Sequence, residues 1–294
     1  MTYKCSTGAF CALAEPYCNY DNARIVVLPI PYDDTSTWQK GADEGPEALI
    51  DASGYLELYD IETDSMVYKQ GIATLEPVVC PEEPELMVNA VYKTVKGLLK
   101  DKKFVVGLGG EHTISIGIVK AMAERYKDLT VLQFDAHSDL RESYKGSRYN
   151  HACVMARTHE YAKIVQVGIR SMDISELGIM DKSRVFFAHD FYRTENVIEK
   201  IVNLLTDNVY ITVDVDVFDP SFFPSTGTPE PGGLGWYDIL NVIHAVAGAK
   251  NIVSMDVNEL MPGSTNRSPD FAAAKLIYRT LSMIFSGKKN NEKK

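Results

Sequence analysis

The chain has 294 residues, 45% of them hydrophobic, which is enough to build the core of a sizeable α/β domain. Its 40 acidic and 30 basic residues leave a net charge of −10, a sign that disfavours nucleic acid and anionic membrane as partners and mildly attracts a small cation. No apolar run approaches a membrane span, and the apolar stretch 8–14, with only Lys4 before it, is too short for a signal peptide, so a cytoplasmic protein is expected.

In chain order, β-branched runs alternate with helical patterns. A strand is predicted at 24–28, then a helix at 47–58 behind Gly45-Pro46, and a helix at 82–99 with Leu86, Val88, Val91, Val95, Leu98 and Leu99 as its apolar positions. Further strands follow at 104–108, 130–134, 164–167, 185–187, 209–213 and 252–255, and further helices at 115–126, 195–205, 236–247 and 271–285. Most of the strands are apolar on both faces, as in a buried parallel sheet. The repeated βα unit predicts an α/β fold, a three-layer α/β/α sandwich around a mostly parallel sheet. No Pro/Gly/Ser linker divides the chain, so residues 1–294 read as one domain, with 1–20 an N-terminal extension and the polar 288–294 a frayed tail. The five cysteines, Cys5, Cys11, Cys18, Cys80 and Cys153, are odd in number and form no CxxC pair. They read as free thiols in a reducing compartment, without a disulfide framework.

Sites in open α/β sheets form at the carboxyl ends of strands, and four predicted strand ends carry polar clusters. Gly109-Gly110-Glu111-His112 follows 104–108, and Asp135-Ala136-His137-Ser138-Asp139 follows 130–134. Asp214-Val215-Asp216 ends 209–213, and Asp256-Val257-Asn258-Glu259 ends 252–255. In extended chain, i, i+2, i+4 spacing puts Asp135, His137 and Asp139 on one face. A lone Asp-x-Asp is ordinarily a loop feature, and a lone His after Gly-Gly a hydrogen bonder at a helix start. The first three clusters together bring two histidines and four aspartates to one sheet edge. Four carboxylates that close cannot all ionise unaided, so two divalent ions sharing bridging carboxylates are expected, with a hydroxide between them as nucleophile. Oxygen-rich ligation without cysteine favours Mn²⁺ over Zn²⁺.

These same clusters resemble the signatures of the ureohydrolase superfamily of arginases and agmatinases. So do the run Asp214-Val215-Asp216-Val217-Phe218-Asp219-Pro220, the run 227–233, and upstream Pro31-Tyr32-Asp33-Asp34-Thr35 and 41–46. The resemblance extends from about residue 24 to the last helix and implies an arginase-like fold. It implies that His112 and Asp139 ligate one manganese, His137 and Asp216 the other, and that Asp135 and Asp214 bridge the two Mn²⁺ ions. Glu259 matches the acid that receives the substrate guanidinium, and His151 in Tyr149-Asn150-His151-Ala152-Cys153 matches a proton-shuttling histidine. Asp139 or His151 would pass a proton to the leaving amine. The family usually forms homotrimers or homohexamers.

The chain departs from agmatinases at Ala152, where Gly is frequent, and at Thr113, where Ser is common. The loop 140–146 is more similar to agmatinases than to the arginase loop that holds an amino-acid head. The expected reaction is therefore cleavage of agmatine, a small cationic guanidino substrate, to putrescine and urea, a polyamine-forming step. Another guanidino-compound ureohydrolase, a guanidinobutyrase or an arginase, is the nearest alternative: a pocket-facing Arg141 would favour a guanidino acid and a pocket-facing Glu142 agmatine. A catalytically silent metal-binding paralogue would lack a ligand or the shuttle, and all are present here. A one-zinc deacetylase on a related sandwich would leave His112 and Asp139 unexplained. His159, His189 and His244 have no ligand-type neighbours and read as structural or solvent-facing. Trp38 and Tyr32 are expected to wall the substrate entrance. The glycines at 232, 233 and 235 lack dinucleotide-loop spacing.

Overall fold

Because the strand residues are β-branched and apolar on alternate sides, each strand can bury both faces, and they assemble into a single sheet between helical layers. In a computed structural model describing residues 3–5 and 8–286, nine strands form it. They are β1 (Tyr3–Lys4), β2 (Ile25–Ile30), β3 (Ile72–Leu75), β4 (Phe104–Gly109), β5 (Leu129–Phe134), β6 (Lys163–Ile169), β7 (Val185–Phe187), β8 (Asn208–Asp214) and β9 (Asn251–Asn258). Their order is β1-β3-β2-β4-β9-β8-β5-β6-β7, and every pairing is parallel except β1 on β3. The helices are α1 (Gly45–Ser53), α2 (Pro84–Lys100), α3 (Ile114–Arg125), α4 (Val154–Thr158), α5 (Ala188–Phe191), α6 (Val197–Leu204), α7 (Trp236–Ala249) and α8 (Ser268–Ser286).

Alternation along the strands divides the core in two. Val27, Val106, Leu108, Phe134, Ile211 and Val213 pack with α1, α6, α7 and α8 on one face. Val26, Leu28, Val105, Val131 and Tyr210 pack with α2, α3 and α4 on the other. This is the expected three-layer sandwich.

The differences from expectation are local. β1 and β3 are too short to show as periodic runs. Helix α1 stops at Ser53 because Gly54 follows, and the short turns α4 and α5 carry no periodic signal. The antiparallel pairing of β1 on β3 brings Cys5 beside Cys18, Cα to Cα 5.4 Å, and the two form a disulfide; the reading of all five cysteines as free thiols is corrected there. Cys11, Cys80 and Cys153 are free. Sequence spacing alone could not show that a strand pairing would align two cysteines thirteen residues apart. The tail 288–294 lies outside the described residues, and among those described no helix is long and apolar enough to cross a membrane.

Candidate metal centre and active-site pocket

Sheet register sets the site. Phe134 pairs with Val213, Asp214 with Asn258, and Leu108 with Val257, so the ends of β4, β5, β8 and β9 lie level at one edge. Gly110 lets the chain turn there: a Cβ on it would lie 2.1 Å from the Tyr32 carbonyl oxygen, so only glycine fits. A cavity of about 290 Å³ opens over this edge. His112, His137, Asp139, His151, Asp214, Asp216 and Glu259 line it, and Asp135 lies fully buried beside them.

The expected extended alternation does not run through these segments. Asp139 has a left-handed backbone (φ 52°), and Val215–Val217 is a single helical turn in which Asp214 Oδ1 accepts the Asp216 N–H at 2.9 Å. Turn geometry, rather than the pleat, brings the carboxylates together. His112 Nδ1 lies 3.2 Å from Asp135 Oδ2, 3.3 Å from Asp139 Oδ2 and 3.6 Å from Asp214 Oδ2. His137 Nδ1 lies 2.8 Å from Asp216 Oδ2 and 3.7 Å from Asp135 Oδ1. His112, Asp135 and Asp214 form one group able to hold an ion; Asp135, His137 and Asp216 form a second, with Asp135 common to both.

The residues fit a metal. His112 Nδ1 is buried and has no aligned hydrogen bond, although three carboxylates face it. Its Nε2 is 2.8 Å from Thr212 Oγ1, which also accepts from Asn258 Nδ2 at 3.3 Å. Burial opposes a charge on His112, but Asp135 and Asp139 overcome it and hold the imidazole well above its usual range, so several carboxylates share one ring, an arrangement that calls for a further cation. The titration behaviour agrees. Burial, with Asp216 and Asp139 nearby, pushes Asp135 up to about 7. Burial, with Asp216 and Asp135, pushes Asp214 well above the usual range. Burial works against a charged His137, but Asp216 overcomes it and holds the imidazole up near 10. Burial is the larger cause for the two carboxyls, and the crowded negative charge adds to it and raises His137.

Glu259 follows β9 with φ 65°, and its Oε1 accepts the His112 N–H at 2.7 Å. Burial, then Glu111, pushes its carboxyl well above the ordinary range, against the pull of the His112 N–H and imidazole. His151 lies opposite, its Nδ1 3.1 Å from Thr35 Oγ1 and its ring edge-on to Tyr144. Burial lowers its pKa despite Asp139.

At the mouth the loop 140–146 sends its two charges in different directions. Arg141 lines the pocket, stacks 4.6 Å over Tyr144 and lies 3.5 Å from both Asp173 and Glu176. Glu142 turns outward to Arg148 and Arg157. Trp38 stands at the pocket rim, but Tyr32 does not: it is buried in the core with its hydroxyl on the Glu82 carbonyl, because the chain turns inward to pair with Gly110 and Glu111. His159, His189 and His244 are exposed and away from the site. Asp256 is not in the pocket; it lies inside the sheet, bound by Ser115, Tyr210 and Asn258. Sequence reasoning passed over Asp173 and Glu176, although they follow the end of β6, where the strand-end rule directs attention. It named Thr35 only within the run 31–35, without a role, and passed over Arg170. The Arg170 guanidinium donates to the carbonyls of Asp216, Val217, Phe218, Gly168 and Glu230, fastening the Asp216 turn.

A mostly parallel sheet whose carboxyl edge holds two overlapping His/Asp groups able to take metal ions, beneath an acidic pocket, is the architecture of an α/β hydrolase. The arginase family model matches residues 23–282, and the chain belongs to the arginase family, whose ureohydrolases act on guanidino compounds. It is 39% identical over 279 residues to an N(1)-aminopropylagmatine ureohydrolase of Synechocystis sp., covering 91% of each chain. It is 32% identical to an agmatinase of Pyrococcus horikoshii, covering 91% of this chain and 94% of that one. Among solved structures, the agmatine ureohydrolase of Thermoplasma volcanium superposes with a TM-score of 0.83 at 33% identity, over 91% of this chain and 92% of the other.

Proposed function

We propose that the chain hydrolyses the guanidino group of an agmatine-type amine to urea and the freed amine, with His112, Asp135, His137, Asp139, Asp214 and Asp216 holding two Mn²⁺ ions. The observation that carries this reading is Glu259: a half-buried carboxylate with no salt-bridge partner among the described residues, in the same pocket as the His/Asp cluster. A guanidinium supplies that partner, because its planar fork of N–H donors matches two carboxylate oxygens. The ions, when bound, supply Lewis acidity that activates the attacking water. Glu259 orients the guanidinium carbon toward the cluster and offsets its charge. Asp139 or His151 delivers a proton to the departing amine nitrogen, and the low pKa of His151 keeps its ring neutral and able to accept one.

For the far end of the substrate, Asp173 and Glu176 against Arg141 leave one net negative charge at the mouth, with Tyr144 and Trp38 beside it. That balance suits an ammonium. Agmatine ends in one amine, and its aminopropyl derivative continues into a second. The 39% identity to an aminopropylagmatine enzyme, against 32% to an agmatinase, favours the longer amine. Arg141 inside the pocket favours a guanidino acid as a second reading. Urea release from agmatine, N(1)-aminopropylagmatine, guanidinobutyrate and arginine, compared by kcat/KM with Mn²⁺ present, decides among them. Highest kcat/KM on guanidinobutyrate or arginine would overturn the amine reading.

A further inference from the structure

Glu111 is fully buried behind the pocket, and the roles above do not use it. Its carboxylate meets donors: the Thr35 N–H at 2.9 Å, the Thr35 hydroxyl at 2.7 and 2.8 Å to its two oxygens, and the Ser36 hydroxyl at 3.4 Å. The same Thr35 oxygen accepts the backbone N–H of His151 at 3.0 Å, lies 3.1 Å from His151 Nδ1, and is 3.4 Å from Thr113 Oγ1, whose hydroxyl bonds Glu111 instead. A hydroxyl has one proton and two lone pairs. With its proton turned to the carboxylate, Thr35 Oγ1 offers its lone pairs to the His151 backbone N–H and to the imidazole. A lone pair facing a ring nitrogen holds that nitrogen in its N–H form. Nδ1 then carries the hydrogen, and Nε2 is the ring nitrogen left to exchange protons with the pocket.

We infer that Glu111 and Thr35 are positioning residues for His151: the Glu111 carboxylate orients the Thr35 hydroxyl, and that hydroxyl fixes His151 as the Nδ1–H tautomer with Nε2 available to the reaction. The inference rests on the reading of His151 as the proton carrier. The proton that Nε2 takes up from pocket water is the one it hands to the amine nitrogen, while the other proton stays on Nδ1, hydrogen-bonded to Thr35 Oγ1, so the carrier is restored each turnover. The arrangement also ties the rim segment 35–38 to the strand end at Glu111, fixing the imidazole from outside the ligand cluster.

The test is a cycle of Thr35→Val, Thr35→Ser and Glu111→Gln, in wild-type and His151→Asn backgrounds, on Mn²⁺-loaded enzyme of verified metal content. Thr35→Val keeps the shape and removes the hydroxyl. Its kcat should fall about tenfold to a hundredfold with KM changed by less than about threefold, and Thr35→Ser should recover most of the loss. Glu111→Gln, whose amide N–H₂ can turn the Thr35 proton toward the ring, should lose a similar factor with both ions retained. In the His151→Asn background, Thr35→Val should cost less than about twofold more, because a group acting through His151 has nothing left to position. A Thr35→Val enzyme with wild-type kcat, or an undiminished loss in the His151→Asn background, overturns the inference. The tautomer is also read without turnover, from the ring-nitrogen shifts of ¹⁵N-histidine-labelled enzyme loaded with Mg²⁺, His151 being assigned by its loss in His151→Asn. Protonated Nδ1 and bare Nε2 are expected, and the reverse overturns the inference whether or not any guanidino compound is cleaved. Absence of urea release from the whole substrate panel would overturn the proposed function separately.

Discussion

Glu259 Oε1 accepts the backbone N–H of His112 at 2.7 Å, joining residues 147 positions apart. One bond locks the chain after β9 to the turn before α3, so the acid proposed to hold the guanidinium and a proposed metal ligand cannot move independently. The left-handed backbone of Glu259 (φ 65°) is strain held in place by this bond and by the Glu259 N–H on the Gly110 carbonyl at 2.8 Å.

Glu259→Gln should therefore keep both ions and lose both binding and rate. A charge-assisted pair in a dry pocket is worth about 2–5 kcal/mol, so kcat/KM should fall by at least about thirtyfold. His151→Asn should lose about a hundredfold to ten-thousandfold in kcat with less effect on KM, and added imidazole should restore part of it. Metal stoichiometry, kcat and KM for both variants check this; normal turnover by His151→Asn rejects the shuttle role.

Removal of the ions should abolish urea release, and Mn²⁺ should restore it. Without them, His112 Nδ1 and the carboxylates of Asp135, Asp139 and Asp214 lack their common partner, so melting temperature should drop on chelation and recover on reloading. Full turnover by protein shown metal-free by elemental analysis would reject the two-metal reading.

Asp135→Asn and Asp214→Asn each remove a charge that both ions would share. Losses of about a thousandfold or more in rate are expected, with reduced metal content. Near-normal rate and stoichiometry in either variant would show that the bridging assignment is wrong.

Arg170 tests the scaffold apart from the ligands. Lysine keeps the charge but cannot span the carbonyls of Asp216, Phe218 and Glu230 at once. Arg170→Lys should cost about 1–3 kcal/mol in unfolding free energy, measured by denaturant titration, and weaken metal binding through the Asp216 turn. Unchanged stability and unchanged metal affinity would contradict the clamp.

Asp219 predicts the acid limb. Hydrogen bonds from the Ser221 side chain and backbone, then from Gly233 and Gly232, bring its carboxyl down to about 2. A depressed carboxyl contributes stability above its unfolded pKa of about 4 and loses it as pH falls through its folded value. Stability should thus decline between about pH 4 and 2, by no more than about 1 kcal/mol given how open this carboxyl is to solvent. In Asp219→Asn that part of the decline should vanish, as read from unfolding midpoints across this range.

The succession of the central strands and long helices was legible in the amino-acid sequence, because each central strand is a run of residues that can only be buried on two faces and each long helix has an apolar stripe. The His/Asp cluster from His112 to Asp216 was legible as well, since acids and histidines directly after apolar strands have no bland use in such number, whereas His151 and Glu259 came with the family resemblance and Asp173 and Glu176 were missed. What the tertiary structure decided is of another kind. Whether Arg141 or Glu142 faces inward depends on how a seven-residue loop closes, and Arg148 and Arg157 draw Glu142 away. Asp256 shares its segment with Glu259 but points into the sheet, because strand alternation and not proximity in sequence sets direction. Cys5 meets Cys18 only through an edge strand two residues long, and Thr35 meets Glu111 and His151 across separations of 76 and 116 residues. Local periodicity records which residues want burial. Which polar groups then share a hydrogen bond depends on where distant segments end, and no local pattern encodes that.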